Sequence, residues 1–279
     1  MAREHAGTLI VCHSVDWLPL IAELESAGAI ADPNLTIERL MEYGATLVSA
    51  AANIARRFGV DAEHRIVDGE AADAILAVAD DTQSQLIVMG THGRNGIGRL
   101  VTGSTTEAVL RGSSIPVLTV RPDTTIAEET RRSFEHILVG VDASEPADAA
   151  LNVVLELPAL DRRAIVVCNV VDLGASGDRL LEAQRIVDDA TASARSRKIH
   201  AIGRTTVGNA ETALNSVAQA DHADLIVIGS HGRRGVRRFL LGSVAESVVR
   251  TASLPVLVVR TAPRARPRFA DSMASAQQR

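Results

Sequence analysis

A stretch of 32 residues occurs twice in this chain, and this duplication restricts the possible folds more than any other feature. Residues 90–121 (GTHGRNGIGRLVTGSTTEAVLRGSSIPVLTVR) align without gaps with residues 229–260 (GSHGRRGVRRFLLGSVAESVVRTASLPVLVVR), and 17 of the 32 positions are identical. In each copy an apolar run enters a Gly/Arg loop, a helical pattern follows, and a proline precedes a second apolar run. This order is typical of a parallel sheet covered by helices. The pattern predicts two tandem α/β modules.

The second copy begins with a strand and a helix that have no counterpart in the first copy. They are predicted at His136–Asp142 and Ala147–Glu156. The next strand, residues 164–172, aligns with residues 8–16, so the first copy starts at the module's second strand. We expect two open parallel sheets of the five-stranded type with helices on both faces, the first shortened at its N-terminus. The predicted divisions are a first domain at 1–122, a linker at 123–133, a second domain at 134–262 and a disordered tail at 263–279.

The composition excludes several classes of function. Charged residues make up 23% of the chain and the net charge is −5, which argues against nonspecific nucleic-acid binding. Aromatic residues make up only 2% of the chain, too few for a base-stacking platform. The apolar runs are shorter than a membrane span and the N-terminus has no signal core, so we expect a cytoplasmic protein without a membrane or nucleic-acid partner. Cys12 and Cys168 lie within apolar runs, which favours buried thiols over a disulfide framework or a metal site.

The loop shared by both copies has the features of a phosphate-binding site. The spacing Gly-x2-Gly-x9-Gly-Ser places Gly229, Gly232, Gly242 and Ser243 in the second copy and Gly90, Gly93, Gly103 and Ser104 in the first. Glycine permits a sharp turn and close approach to a ligand, and the amides that start the next helix favour an anion. Arginine donors for phosphate lie inside the loops, at Arg94, Arg99, Arg233, Arg234, Arg237 and Arg238. A P-loop is excluded, because no glycine precedes the only lysine, Lys198, in the required frame.

These residues also have structural explanations. Ser243 and Ser104 are placed to cap the helices that follow them. The arginines would equally suit a solvated basic loop. His92 and His231 lack the carboxylate neighbours of a catalytic histidine, so we expect them to shape the loop. We predict no catalytic and no metal-ligating residue.

The second copy resembles the universal stress protein family. The resemblance is carried by ILVGVDASEPADAAL at the first strand and turn, by LIVIGSHGRRG with its loop spacing, by SVAESVVR and by the closing PVLVVR. It extends over nearly all of residues 134–260, and over 8–121 less one βα unit. It implies a five-stranded parallel sheet whose last strands, at 115–121 and 254–260, pair to give an intrachain pair of domains. A homodimer is a further candidate assembly.

In the ATP-binding branch of that family the shared loop holds the phosphates and the ribose. The resemblance therefore implies that Asp142 contacts the nucleoside, that Val170 meets the adenine through its backbone, and that Ile228 lines the same pocket. The implied cofactor is ATP, with Mg²⁺ bound through the phosphates and Ser243. The candidate binding residues are Asp142, Val170, Ile228, Gly229, Gly232, Arg233, Gly242, Ser243 and Val244, with Gly90, Gly93, Gly103 and Ser104 in the first copy.

The first copy departs from the family pattern because nothing in it corresponds to Asp142, although Ser14 and Met89 match Val170 and Ile228. A truncated module and a start assigned too far downstream both explain this. We expect the second copy to be the competent site of a nucleotide-binding stress or signalling protein. The alternatives are a slow ATPase or autophosphorylating protein, with Ser243 or Ser104 as phosphoacceptor, and an interaction protein that has lost nucleotide binding.

Overall fold

A computed structural model describes residues 7–28, 32–91, 103–122, 124, 134–157, 163–232 and 241–261 of the chain. The first copy contains β1 (Leu9–Val15), α1 (Trp17–Ser26), α2 (Pro33–Arg57), β2 (Ala62–Asp68), α3 (Ala71–Asp81), β3 (Ile87–Gly90), α4 (Ser104–Gly112) and β4 (Val117–Val120). The second contains β5 (His136–Gly140), α5 (Glu145–Leu155), β6 (Ala164–Val171), α6 (Gly177–Ser196), β7 (His200–Val207), α7 (Ala210–Ala220), β8 (Leu225–Gly229), α8 (Ser243–Thr251) and β9 (Val256–Val259). Strands and helices alternate through most of both copies, which confirms the predicted α/β class.

Two helices of the second copy, α5 and α7, begin at residues whose side chains cap them. The Ser144 hydroxyl accepts a 3.4 Å hydrogen bond from the amide of Ala147 at the start of α5. Asn209 accepts hydrogen bonds from the amides of Glu211 and Thr212, at 3.0 and 3.3 Å, and so starts α7. Each cap satisfies amides that have no partner within the helix.

Seven of the described strands form one sheet in the order β3-β4-β9-β8-β5-β6-β7. All neighbouring pairs are parallel except β4 and β9, which are antiparallel, with Leu118 opposite Leu257. This confirms the expected pairing of the last strands. The pairing joins the strands of both copies into one continuous sheet.

The remaining strands, β1 and β2, form a separate parallel pair. In the second copy the equivalents of β1 and β3 are β6 and β8, and both of these pair with β5. No described strand of the first copy corresponds to β5. Among the described residues no strand joins β1 to β3, so β1 and β2 lie apart from the large sheet.

Apolar side chains form a core on each face of the large sheet. One core combines α3 and α4 with α7 and α8, and it includes Leu110 and Val117 of the first copy beside Val248 and Val256 of the second. The other core lies under α5 and α6. Because the first core draws on both copies, the two modules bury apolar surface against each other.

Helix α1 is a feature that the repeat does not predict. At the corresponding place the second copy has only the loop at residues 172–176. The sequence predicts helices at Ala71–Asp81 and Ala210–Ala220, and α3 and α7 have these bounds. It also predicts a helix at Ile37–Phe58, but α2 begins earlier, at Pro33, because Asp32 caps it. Among the described helices, including the 25-residue α2, none combines the length and apolar character needed to cross a membrane.

Candidate functional site

A cavity of 760 Å³ opens at the carboxyl ends of β5, β6 and β8 in the second copy. This volume is within the range of pockets that hold small molecules, roughly 300–1,000 Å³. The structure brings eight of the sequence-predicted residues to its wall: Asp142, Val170, Ile228, Gly229, Gly232, Gly242, Ser243 and Val244. The ninth, Arg233, lies outside the described residues.

The cavity lies where the direction of the chain through the sheet reverses. From β5 the chain moves outward to β6 and β7, and then returns to β8 on the opposite side of β5. The helices that follow β5 and β8 consequently cover opposite faces of the sheet and leave a crevice between the strand ends. Open α/β sheets bind ligands at such a point.

Asp142 follows β5 and is held at the cavity wall by Ser144. Its Oδ1 atom accepts hydrogen bonds from the amide of Ser144 at 3.0 Å and from the Ser144 hydroxyl at 2.5 Å. Its Oδ2 atom lies 2.5 Å from the position of a Cβ atom built on Gly232. The carboxylate is therefore packed against the backbone at the start of the glycine loop.

The loop glycines are required by close packing of the protein rather than by a left-handed turn. None of Gly229, Gly232 and Gly242 has a positive φ, so no left-handed backbone conformation requires glycine at these positions. A Cβ on Gly229 would lie 2.7 Å from the backbone nitrogen of Ala147, and one on Gly242 would lie 3.0 Å from the Cα of His231. The N-terminus of α5 and the two ends of the loop can approach each other only if these positions carry no side chain.

The helix after the loop begins without a side-chain cap. Its N-cap is Gly242, no side chain within the described ranges caps its first amides, and Ser243 is the first helical residue. The expectation that Ser243 caps the helix is therefore wrong, and Ser104 fails in the same way because Gly103 is the N-cap of α4. Uncapped amides at a helix N-terminus favour an anion, both as donors and through the helix dipole.

The described residues around the cavity carry more acidic than basic side chains. The carboxylates are Asp142, Asp172, Glu182, Glu211 and Glu246, and the guanidinium groups are Arg179 and Arg250. The four loop arginines lie outside the described residues. Within the described wall, the amides at the start of α8 are therefore the principal group of donors placed for an anion.

Part of the cavity wall is apolar. Val170 and Ile228 line the cavity beside Cys168 and Leu214. Burial, together with the charge of Asp221, raises the pKa of the Cys168 thiol to about 12. Cys168 is thus a neutral, apolar part of the wall, as expected from the sequence.

Several wall residues were not predicted, among them Asn169, Arg179, Asn209 and Arg250. Asn169 is buried and donates a 2.7 Å hydrogen bond to the carbonyl of Val141, which fixes the end of β5 beside β6. A sequence signal existed for Asn209, because the pair Gly208-Asn209 follows β7 and asparagine is a preferred N-cap for the next helix. The other residues come from α6 and α8 and share no sequence pattern with the loop.

The first copy reproduces the closure of the loop. The amide of Gly103 donates to the carbonyl of Thr91 at 2.8 Å, as the amide of Gly242 donates to Ser230. Ser104 begins α4, while Gly90 ends β3 and is exposed. Gly93 lies outside the described residues. The described first copy thus has the same loop ends, but no residue in the position of Asp142.

Comparisons with known proteins agree with this arrangement. A family model described as the universal stress protein family matches residues 1–121 and 133–260. A universal stress protein of Mycolicibacterium smegmatis is 30% identical over 187 residues, which cover 63% of this chain and 62% of that protein. A universal stress protein of Mycobacterium tuberculosis is 28% identical over 200 residues, which cover 64% of this chain and 62% of that protein. The matched segments thus span less than two thirds of these relatives.

The solved structures give the same fold at lower identity. A universal stress protein from Archaeoglobus fulgidus superimposes with a TM-score of 0.65 and 19% identity, covering 93% of this chain and 88% of that one. A protein from Pseudomonas aeruginosa, described as a putative universal stress protein, superimposes with a TM-score of 0.59 and 17% identity. The match covers 91% of this chain and 92% of that one. At these identities the likeness concerns the fold alone.

Proposed function

Because the chain belongs to the universal stress protein family, we propose that its second domain binds ATP or a closely related adenine nucleotide. Occupancy of the site would alter the conformation of the protein or its binding to a partner during a stress response. The observation that carries the proposal is the cavity that joins Asp142, the loop glycines and the uncapped start of α8. Such a combination of apolar wall, fixed carboxylate and free amides suits a nucleotide.

The phosphates would lie at the start of α8. The amides of Ser243, Val244 and Ala245 have no side-chain cap, and the Ser243 hydroxyl is exposed. These donors and the helix dipole favour an anion. In the family the same loop holds the phosphates, which supports this orientation.

The nucleoside would lie toward the ends of β5 and β6. Asp142 is held at the cavity wall by Ser144, which places its carboxylate beside the position proposed for the ribose. Val170 and Ile228 present an apolar surface for the base. This assignment gives each end of the nucleotide a chemically suited wall.

Mg²⁺ would enter with the phosphates rather than bind to a preformed protein site. No group of three or more His, Cys, Asp or Glu residues suited to a metal occurs within the described parts of the chain. The exposed Ser243 hydroxyl is an oxygen ligand of the type that Mg²⁺ accepts beside phosphates. The ion would then shield the phosphates from the carboxylates of the cavity wall.

We expect one nucleotide per chain. The second copy supplies Asp142, whereas the first has the loop ends but no described counterpart of β5 or of that carboxylate. Calorimetric titration of the full chain with ATP and Mg²⁺ should therefore give a stoichiometry of one. Protein purified from cells should carry at most one nucleotide per chain by mass spectrometry and absorbance.

The variant that tests the site is Asp142→Ala, and the matched control is Asp148→Ala, an exposed carboxylate on α5. Asp142→Ala should weaken ATP binding by about tenfold or more, which corresponds to about 1.4 kcal/mol. Asp148→Ala should bind as the parent chain does. Equal affinity in all three proteins, or two nucleotides per chain, would contradict the proposed site.

A slow turnover of ATP is the second candidate activity, and one observation favours it. The Ser243 hydroxyl is exposed, makes no cap and stands at the proposed phosphate position. Incubation with γ-labelled ATP would distinguish autophosphorylation from nucleotide binding alone. Label on Ser243 that disappears in Ser243→Ala but persists in the matched Ser104→Ala would establish autophosphorylation, and binding without label would leave occupancy as the signal.

A further inference from the structure

Two equivalent arginines, one on α4 and one on α8, have different partners in the two copies. Arg111 of α4 forms an ion pair with Glu107, one turn earlier on the same helix. The equivalent residues of α8 are Arg250 and Glu246, but the Nη2 atom of Arg250 donates a 3.1 Å hydrogen bond to the hydroxyl of Ser247 instead. The guanidinium group is therefore paired with a carboxylate in the first copy and with a neutral hydroxyl in the second.

One difference in sequence between the copies explains the two pairings. The helices read STTEAVLR at 104–111 and SVAESVVR at 243–250, so Ser247 stands where the first copy has Ala108. Alanine offers no acceptor, and Arg111 makes the ordinary helical ion pair with the carboxylate four residues before it. In α8 the Ser247 hydroxyl supplies an acceptor in the cavity wall. Ser247 thus directs the side chain of Arg250 toward the cavity.

The guanidinium group of Arg250 is held weakly in this position, although its backbone is fixed by the hydrogen bond that Arg121 donates to its carbonyl. Its Nε atom is buried and finds no hydrogen-bond acceptor among the described residues. A buried donor of a charged group without a partner is destabilising, and charge-assisted hydrogen bonds are stronger than neutral ones. Arg250 would therefore gain free energy by turning its donors to an anion in the cavity.

The position of Arg250 along α8 defines which anion would reach it. Ser243, Ser247 and Arg250 are spaced i, i+4 and i+7, so they share one side of the helix, and all three line the cavity. Helical side chains point toward the helix N-terminus, and the hydrogen bond with Ser247 places the Arg250 guanidinium one turn from Ser243. Four residues span about 6 Å along a helix. A chain of phosphates that begins at the amide of Ser243 can therefore extend along this side to Arg250.

The charges of the cavity wall make this cation important for a ligand with several phosphates. Carboxylates outnumber guanidinium groups in the described wall, so each further phosphate adds repulsion. Of the two guanidinium groups there, Arg250 belongs to the helix whose amides would bind the phosphates, whereas Arg179 belongs to α6. Arg250 is thus the described cation best placed to offset the charge at the far end of a phosphate chain.

We propose, on the basis of the nucleotide site proposed above, that Arg250 binds the terminal phosphate of the nucleotide and makes the second domain selective for nucleoside triphosphates over monophosphates. The guanidinium would exchange its hydrogen bond with Ser247 for charge-assisted hydrogen bonds to phosphate oxygens, which match its planar set of donors. A monophosphate would occupy the amides at the start of α8 without reaching Arg250. The site would then respond to the phosphorylation state of the nucleotide and not to the nucleoside alone.

Calorimetric titrations of the full chain with ATP and Mg²⁺, and separately with AMP, test this assignment. Arg250→Gln removes the charge but keeps a polar side chain, so it should weaken ATP binding by about tenfold or more while AMP binding changes by less than about twofold. Arg250→Lys keeps the charge and should recover part of the lost ATP affinity. The matched control is Arg111→Gln in the first copy, which should bind both nucleotides as the parent chain does.

A second set of variants tests the part assigned to Ser247. Ser247→Ala makes α8 resemble α4 at this position and should let Arg250 pair with Glu246, which would weaken ATP binding by about threefold or more and leave AMP binding unchanged. Adding Glu246→Gln removes the competing carboxylate and should restore the ATP affinity. A purely structural role of Ser247 would not give this restoration.

Two results would overturn the proposal and leave the nucleotide site itself in place. Equal losses of ATP and AMP affinity in Arg250→Gln would show that Arg250 supports the fold of the site and does not select a phosphate. Unchanged ATP affinity in that variant would show that the terminal phosphate lies elsewhere. If neither nucleotide bound to the parent chain, the proposed nucleotide site would fail, and the role of Arg250 would fail with it.

Discussion

The Oδ2 atom of Asp142 lies 2.5 Å from the point that a Cβ atom on Gly232 would occupy. The carboxylate and the loop backbone therefore share one space, and a side chain at position 232 would force Asp142 away from its hydrogen bonds with Ser144. We expect Gly232→Ala to weaken ATP binding by about tenfold, or about 1.4 kcal/mol. Its unfolding free energy should change by less than about 1 kcal/mol, because a half-exposed side chain can move aside.

A double-mutant cycle tests the cause of this effect. If Gly232→Ala acts by displacing the carboxylate, it should add little to the loss already caused by Asp142→Ala. Calorimetric titration of the parent, both single variants and the double variant gives the coupling. Fully additive losses would mean that Gly232 and Asp142 act on the nucleotide independently.

Gly229 should be far less tolerant of a side chain than its repeat partner Gly90. A Cβ on Gly229 would lie 2.7 Å from backbone atoms of Pro146 and Ala147, which cannot move without shifting α5. We expect Gly229→Ala to lower the unfolding free energy by about 1–3 kcal/mol. Gly90 is exposed and its φ is not positive, so Gly90→Ala should change it by less than about 0.5 kcal/mol. Urea midpoints compare the two, and equal losses would contradict the packing explanation.

Two equivalent arginines join the copies by reaching the last carbonyls of the opposite helices. Arg260 is buried and its Nη1 atom donates a 3.0 Å hydrogen bond to the carbonyl of Leu110 at the end of α4, while Arg121 donates to the carbonyl of Arg250 at the end of α8. A cation at a helix C-terminus is favourable, and a buried carbonyl without its donor is destabilised.

Arg260→Ala should accordingly lower the unfolding free energy by about 1.5–3 kcal/mol, the usual range for hydrogen bonds with a charged partner. Arg121→Ala should have a smaller effect, because Arg121 is less buried. Calorimetric melting of both variants measures the difference. A larger effect of Arg121→Ala would show that burial does not set the strength of these contacts.

The stability of the chain should fall above about pH 9 because of Cys168. Burial raises its pKa from an ordinary 9.0 to about 12, so between these values the unfolded state loses a proton that the folded state keeps. The folded state then binds more protons, and the unfolding free energy decreases as the pH rises through this window. Cys168→Ala should flatten this part of the profile in urea titrations at pH 8 to 10.5. At pH 8 the native Cys168 should also resist alkylation, because its buried thiol stays protonated.

Much of the fold was predictable because its signals are local and occur twice. The helices at Ala71–Asp81 and Ala210–Ala220 were predicted with their observed bounds, since Glu70 and Asn209 cap them and an apolar stripe follows. The cavity residues near the loop were predictable from the glycine spacing and the family resemblance. Arg179 and Arg250 were not, because they reach the cavity from helices whose orientation depends on packing.

The sequence by itself determined the duplication, the order of strands and helices, and the positions of the loop glycines. These properties depend on neighbouring residues and on comparison between the copies. The tertiary structure decided why the glycines are needed, since their contacts with Pro146, Ala147 and His231 join residues remote in sequence. It also decided that β4 and β9 merge the modules into one sheet while β1 and β2 stand apart. A strand's place in a sheet depends on which neighbour satisfies its backbone groups, and that neighbour is chosen only when the chain has folded.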